Sequence, residues 1–169
     1  MPIPIILTYF GDKIATVGGV SKAVSWLHGF CGFPLLSPYK ALWFGMMIVY
    51  VPAGVNLIIR MTQDQNNTTP RKVIARMQAE SPLFDRLQCC HQALLETYPM
   101  FAASVLAAVQ AGVEEATVSN FATLWCASRV VFVGAYAGGI HEGIAMFRTL
   151  SFAVCVTLQG ALFLLAAAR

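Results

Sequence analysis

Long apolar runs separated by short polar breaks fill most of this chain. Four of them reach the roughly 20 residues needed to cross a bilayer. They run from Ala41 to Ile59, Leu87 to Val113, Ala116 to Ile140 and Thr149 to Ala168. The first and fourth carry no charge, the second holds His91 and Glu96, and the third holds Arg129. None alternates with the period of two that marks a barrel strand. The pattern therefore predicts an all-α, integral membrane four-helix bundle. Val113 to Ala116 reads as a tight turn and Ile140 to Arg148 as a modest loop. Such short links make sequential helices neighbours in an up-down topology. The one long link, Arg60 to Asp85, holds a polar turn cluster at Asn66 to Arg71, then Ser81-Pro82 just ahead of the second span.

Residues 1–40 read differently from the rest. They are rich in Gly and Pro, and Lys13, Lys22 and Trp26 suggest a helix lying at the membrane interface. A fifth span there would bury Lys22. The chain thus divides into an N-terminal interfacial segment, 1–40, and a bundle, 41–169. The start of the sequence lacks the basic stretch of a secretory signal, so no cleaved segment is expected.

Composition sharpens the class. Of the 169 residues, 57% are hydrophobic and 11% charged, whereas a soluble domain averages about 25% charged. A net charge of +3, spread along the chain, gives no nucleic-acid footprint. Cys31, Cys89, Cys90, Cys126 and Cys155 follow no metal-ligand spacing, so no metal site is expected. Buried free cysteine behaves as a small hydrophobe; a reactive thiol at Cys89 or Cys90 is the sharper alternative. Orientation follows from Lys and Arg beside the spans. Arg60, Arg71, Lys72, Arg76 and Arg86 sit in the long link and Arg148 in the last one, whereas the turn between them has only Glu114 and Glu115. The basic links should face the cytosol. Lys13, Lys22 and Lys40 argue the opposite way.

Polar residues inside the spans carry the chemistry. A carboxylate at membrane depth costs several kcal/mol unless paired or facing a cavity. Arg86, Cys89, Ala93 and Glu96 are spaced to share one stripe of the second span, as Arg129, Phe132 and Tyr136 do on the third. Arg86, His91, Arg129, Tyr136 and Arg148 should gather at the cytosolic end, with Glu96 somewhat deeper. Such a pocket would attract an anionic, water-soluble ligand, and its apolar walls a lipophilic one. Structural readings compete. Glu96 and Arg129 can pair to fix register, Arg86 and Arg148 can be snorkelling anchors, Tyr136 can belong to an aromatic belt, and His91 can be a satisfied core residue. Pro99 interrupts the second span and should bend it near Glu96.

These residues resemble the MAPEG family, the membrane-associated proteins of eicosanoid and glutathione metabolism. The family's second helix reads roughly Arg-x-x-x-Asn-x-x-Glu-x-x-Pro-x-Phe before an alanine-rich run. Here Glu96-Thr-Tyr-Pro99-Met-Phe101 is followed by Ala-Ala-Ser-Val-Leu-Ala-Ala. Ser-Arg129-Val-Val-Phe-Val-Gly-Ala-Tyr136 and Phe-Arg148-Thr-Leu are similar to the family's third helix and fourth-helix start. Asn67-Thr-Thr-Pro-Arg71 is similar to a loop of fungal-type members. The likeness covers residues 41 to 168. It implies a homotrimer in the endoplasmic reticulum, lumenal chain ends, and glutathione in a cleft open to the cytosol. It also implies a lipophilic substrate that is conjugated, reduced or isomerised.

Departures qualify this. Aligned on Glu96, the family's glutathione-binding Arg falls at Cys89, its Asn at Ala93, and a position often held by Tyr or His at Phe132. The resemblance implies His91, Glu96, Arg129, Tyr136 and, with Arg86 substituting one turn earlier, a glutathione-binding set. Arg148, Glu96 and Tyr136 are the catalytic candidates, and Cys89, Ala93 and Phe132 the enlarged substrate pocket. Three functions follow. Glutathione thiolate attacks an electrophilic lipid, quinone or enone; or a glutathione-independent isomerase or cyclase of small-molecule biosynthesis uses Glu96 as acid or base; or the chain is a non-catalytic lipid-binding scaffold.

Overall fold

The computed structural model describes residues 17–63, 69–139 and 142–169. These form six helices: α1 (Val17–Cys31), α2 (Pro38–Gln63), α3 (Pro70–Glu80), α4 (Pro82–Gln110), α5 (Glu115–Ala137) and α6 (Glu142–Ala167). Four are long and apolar enough to span a membrane: α2, α4, α5, and α6 from Met146. They coincide with the four expected spans, with shifted ends. No strand occurs among the described residues.

Local chemistry explains the shifts. α4 begins at Pro82, five positions before the expected Leu87, because Ser81 caps it and accepts from the Phe84 amide. Proline is favoured at a first helical position, where its missing N–H leaves nothing unpaired. The helix stops at Gln110 rather than Val113. Gly112 takes φ +74°, and the Gly112 and Val113 amides bond the Val109 and Ala108 carbonyls. A left-handed glycine just past a helix end is the usual terminator. The expected turn at Val113 to Ala116 therefore lies slightly earlier. α5 closes at Gly138.

The long link is not all turn. It contains α3, opened by Thr69 with Pro70 in the first helical turn. Val73 and Met77 bury against Phe84, with Ile59 and Ile74 beside them. This forms a small second core, laid across the ends of α2 and α4. Arg71, Lys72 and Arg76 face outward, as an amphipathic helix at a polar boundary requires.

The N-terminal segment yields α1, whose Val20 and Val24 bury in the main core, where the helix packs on α5. Lys22 and Trp26 are exposed, and the Trp26 ring stacks on Phe30 at 5.0 Å. The linker after α1 is fastened by the Leu36 amide, which donates to Thr123 Oγ1 (2.9 Å). Lys13 lies outside the described residues.

The main core centres on Phe101 of α4 and Trp125 of α5, stacked at 3.8 Å with planes 3° apart. α2 reaches this stack at Gly45. A Cβ there would meet Trp125 at 3.2 Å and Phe101 and Tyr98 at 3.3 Å. Gly45→Leu should therefore push α2 off the stack at a cost of about 1–3 kcal/mol or more. The expected result is a markedly lower thermal midpoint in detergent; a wild-type midpoint would contradict this packing.

Polar clamps tie the helices together where lipid offers no competing partner. Tyr98 Oη donates to the Leu42 carbonyl (3.0 Å), and Gln159 Nε2 donates to the Thr97 carbonyl (2.9 Å). The second lies two residues before Pro99, which sits inside α4 as expected.

Candidate functional site

One face of α5 carries three rings and a guanidinium group. Trp125, Arg129, Phe132 and Tyr136 recur at helical spacing, so their side chains stand one above another. The Arg129 guanidinium lies 4.4 Å from the Phe132 ring centre and 5.8 Å from that of Trp125. Phe132 meets Tyr136 at 4.9 Å. Arg148 of α6 finishes the column, 4.7 Å over the Tyr136 ring.

The column's inner cation is fully enclosed. Arg129 has 0% exposure, and Nη2 donates to the Ser151 carbonyl and hydroxyl. Its Nε and Nη1 find no partner among the described residues. A buried charge with unmet donors is costly, and the two ring faces return part of that cost. Arg129 and Glu96 do not pair within the chain: Arg129 is committed to Ser151, and Glu96 is exposed on α4, accepting from Gln92 Nε2 (3.4 Å). Ser151 in turn donates from Oγ to the Ser128 carbonyl, locking α6 to α5.

The outer end of the column is more open. Arg148 and Tyr136 are half-buried, as is Arg86 across on α4. The Arg86 stem passes 3.8 Å from the place a Cβ on Gly139 would occupy, so it spans from α4 to the end of α5. A cation near a helix C-terminus is favourable. Arg86 Nε is nevertheless buried without a hydrogen-bond partner among the described residues. Cys89, one turn along, is exposed, with Sγ 3.9 Å from Asp85 Oδ1, and Ala93 is half-buried. Asp85 also accepts from Gln78 Nε2 of α3 (2.9 Å). The ion pair seen among the described residues, Arg76 with Glu80 at 3.8 Å, lies elsewhere, on α3. Arg86 and Arg148 thus face this end without a carboxylate partner among the described residues.

His91 and Phe132 sit apart from that end. His91 Nδ1 donates to the Val49 carbonyl of α2 (2.8 Å), and the ring lies 5.9 Å from Tyr50. Three positions later, Pro52 interrupts the α2 hydrogen-bond ladder, and His91 braces the helix just before that break. Phe132 is 3% exposed and covered by Arg129, so it belongs to the core rather than to an open wall. The structure thus brings together Arg86, Tyr136 and Arg148, with Cys89 and Ala93 on the adjoining face of α4. It leaves His91 on another face and Arg129 beneath. A group of His, Cys, Asp or Glu able to hold a metal is not found among the described residues.

Sequence patterns alone pass over Trp125, Ser151 and Asn56. The signal for Asn56 was present, since a lone Asn inside an apolar span needs a partner; Ser151 has no distinguishing pattern.

The MAPEG family model matches residues 38–168, from the first residue of α2 to the end of α6. The chain belongs to the MAPEG family. This accounts for the four spans. The match makes the chain an integral membrane protein of a family that includes glutathione transferases and isomerases. α1 falls outside it. Neither curated proteins nor solved structures returned a match.

Proposed function

We propose that this MAPEG member is a membrane enzyme that uses glutathione on a lipophilic electrophile such as a quinone, an enone or an oxidised lipid. The observation that carries the reading is the pair of half-buried guanidinium groups, Arg86 and Arg148, at one end of the bundle without a carboxylate partner among the described residues. Such a site calls for an anion. Glutathione fits the donor set in charge. Arg86 and Arg148 match its carboxylates and thiolate, and Glu96, exposed on the same helix, matches its ammonium.

The roles divide by position. Arg86, whose buried Nε has no hydrogen-bond partner among the described residues, binds a carboxylate in place of the family Arg that Cys89 replaces. Glu96 orients the amine end. Arg129 supports the site from below through Ser151 and Phe132. Bound glutathione would supply the nucleophilic thiolate. Arg148 holds that negative charge, because a nearby cation lowers a thiol pKa, and the Tyr136 ring fixes the guanidinium in place. The small side chains of Cys89 and Ala93 leave room for a bulky substrate. The protomers assemble as a homotrimer of up-down bundles in the endoplasmic reticulum, with this end toward the cytosol and α1 at the opposite interface.

The test is far-ultraviolet thiolate absorbance on adding glutathione to the protein at neutral pH. A thiolate band that Arg148→Ala removes is expected. No band above that of free glutathione would contradict the reading.

A second reading rests on the same two small residues. With Arg and Asn replaced at Cys89 and Ala93, glutathione is dispensable. Glu96 then acts as general acid or base in isomerising or cyclising a hydrophobic molecule, with Tyr136 or Arg148 polarising its oxygen. Turnover without thiol would favour it.

A further inference from the structure

The outward face of α3 takes no part in the proposed glutathione end. Arg71 and Lys72 are exposed on it. Neither has a carboxylate partner among the described residues. Neither serves the helix: both sit in the first turn of α3, which holds no acidic residue, and positive charge at that end opposes the helix dipole. The acids of the same stretch are engaged elsewhere. Glu80 pairs with Arg76 (3.8 Å), and Asp85 accepts from Gln78 Nε2 (2.9 Å). Arg60, half-buried at the end of α2, lines one cleft with Ile74 of α3 and so brings a third cation beside this helix.

Packing sets the height of α3 against the membrane. Val73 and Met77 bury against Phe84, with Ile59 beside them. The chain neighbours of those two anchors, Ile58 and Leu83, are 64% and 41% exposed, and Met61 is 64% exposed. Large apolar side chains on the outside of a spanning helix belong in hydrocarbon or at its edge. α3 therefore rests where the hydrocarbon ends, beside the lipid phosphates. A free-standing surface helix would put its apolar face into lipid. Here that face is spent on Phe84 and Ile59, so the contact left to α3 is electrostatic.

Charge and height together select the occupant. We propose that Arg71, Lys72 and Arg60 form a docking surface for anionic phospholipid headgroups, whose phosphate and carboxylate oxygens accept from these side chains. Lys and Arg clustered immediately beside a span are drawn to a negatively charged leaflet. The cytosolic leaflet carries that charge, and the proposed orientation puts this end there. The headgroups hold α3 down on the bilayer surface. The docking surface depends on neither glutathione nor the Tyr136–Arg148 end.

The experiment uses the full chain in phosphatidylcholine vesicles, with trace spin-labelled phosphatidylserine or phosphatidylcholine as probes. Electron spin resonance reads the share of each probe held at the protein surface. The expected result is a preference for phosphatidylserine of about threefold, which falls as added salt screens it. Arg71→Gln with Lys72→Gln, both at exposed positions, should take that preference at least halfway to parity, and adding Arg60→Gln should remove most of the rest. Lys22→Gln with Lys40→Gln, away from α3, should leave it at the wild-type value. A preference unchanged by Arg71→Gln with Lys72→Gln, or abolished instead by Lys22→Gln with Lys40→Gln, would overturn the proposal. Equal retention of the two probes by the wild type would overturn it as well, and would leave this face to a soluble acidic partner.

Discussion

Under the proposed function, Arg148→Ala should lower glutathione affinity by a factor of tens to thousands. Removing one partner of a desolvated charge pair costs about 2–5 kcal/mol, and each 1.4 kcal/mol is about a factor of ten. Arg148 is half-buried against Tyr136, so the lower half of that range is expected. Arg148→Lys keeps the charge but loses the planar stack on the ring, and should recover only part of the affinity. Glu96→Gln keeps the shape and removes the charge; its effect should be smaller, because Glu96 is exposed in the protomer. The reverse change is informative too. Cys89→Arg with Ala93→Asn should tighten binding if the family site is otherwise intact, and a lack of gain would mean that Arg86 has taken over that role. Isothermal calorimetry on the purified variants measures all four.

Trp125→Ala should cost about 3–5 kcal/mol of stability, the usual range for truncating a large buried aromatic. Trp125 is 1% exposed and stacks flat on Phe101. It also closes the space above Gly45 and lies under the Arg129 guanidinium. Its loss would open a cavity where α2, α4 and α5 meet and strip one ring face from a buried cation. Trp125→Phe keeps a ring in the stack and should cost much less. Equilibrium unfolding in mixed micelles with increasing SDS reads the difference. Equal midpoints for the alanine variant and wild type would mean that the core lies elsewhere.

The four spans were legible because each buries too many apolar residues in succession for any soluble arrangement. Their ends were not, since caps decide them. Ser81 with Pro82 moved one start, and Gly112 one stop. α3 escaped notice because its apolar residues, Val73, Ile74 and Met77, are few and sit among polar ones. They become a signal only with Phe84 as their partner across the Ser81 break. At the site, spacing put Arg129, Phe132 and Tyr136 on one stripe, and the structure stacks them in one column; Arg148 was expected only at the same end of the bundle, and its contact with the Tyr136 ring is not readable from spacing. Spacing could not say which cation is enclosed. That depends on Ser151, which lies on another helix and carries no sequence mark. His91 shows the same limit from the other side. It lies near Arg86 and Glu96 in sequence, yet the helical turn carries it to the Val49 carbonyl on α2.

Arg129 itself is best understood through what it cannot do. Fully enclosed, bound to Ser151 and faced by two rings, it has no route to a ligand at the outer end of the column. Its charge holds α5 and α6 in register, and so sets the distance between Tyr136 and Arg148. The outer pair is thereby presented on a rigid support, as the proposed catalytic role would require.

The decisive measurement is glutathione binding to the detergent-purified wild-type chain by calorimetry at millimolar ligand. Saturable binding, weakened at least tenfold by Arg148→Ala, is the result expected of a glutathione-using MAPEG enzyme. No binding up to about 10 mM, an affinity of only about 2.7 kcal/mol, would contradict that account and leave Glu96 as the acid or base of a thiol-independent reaction.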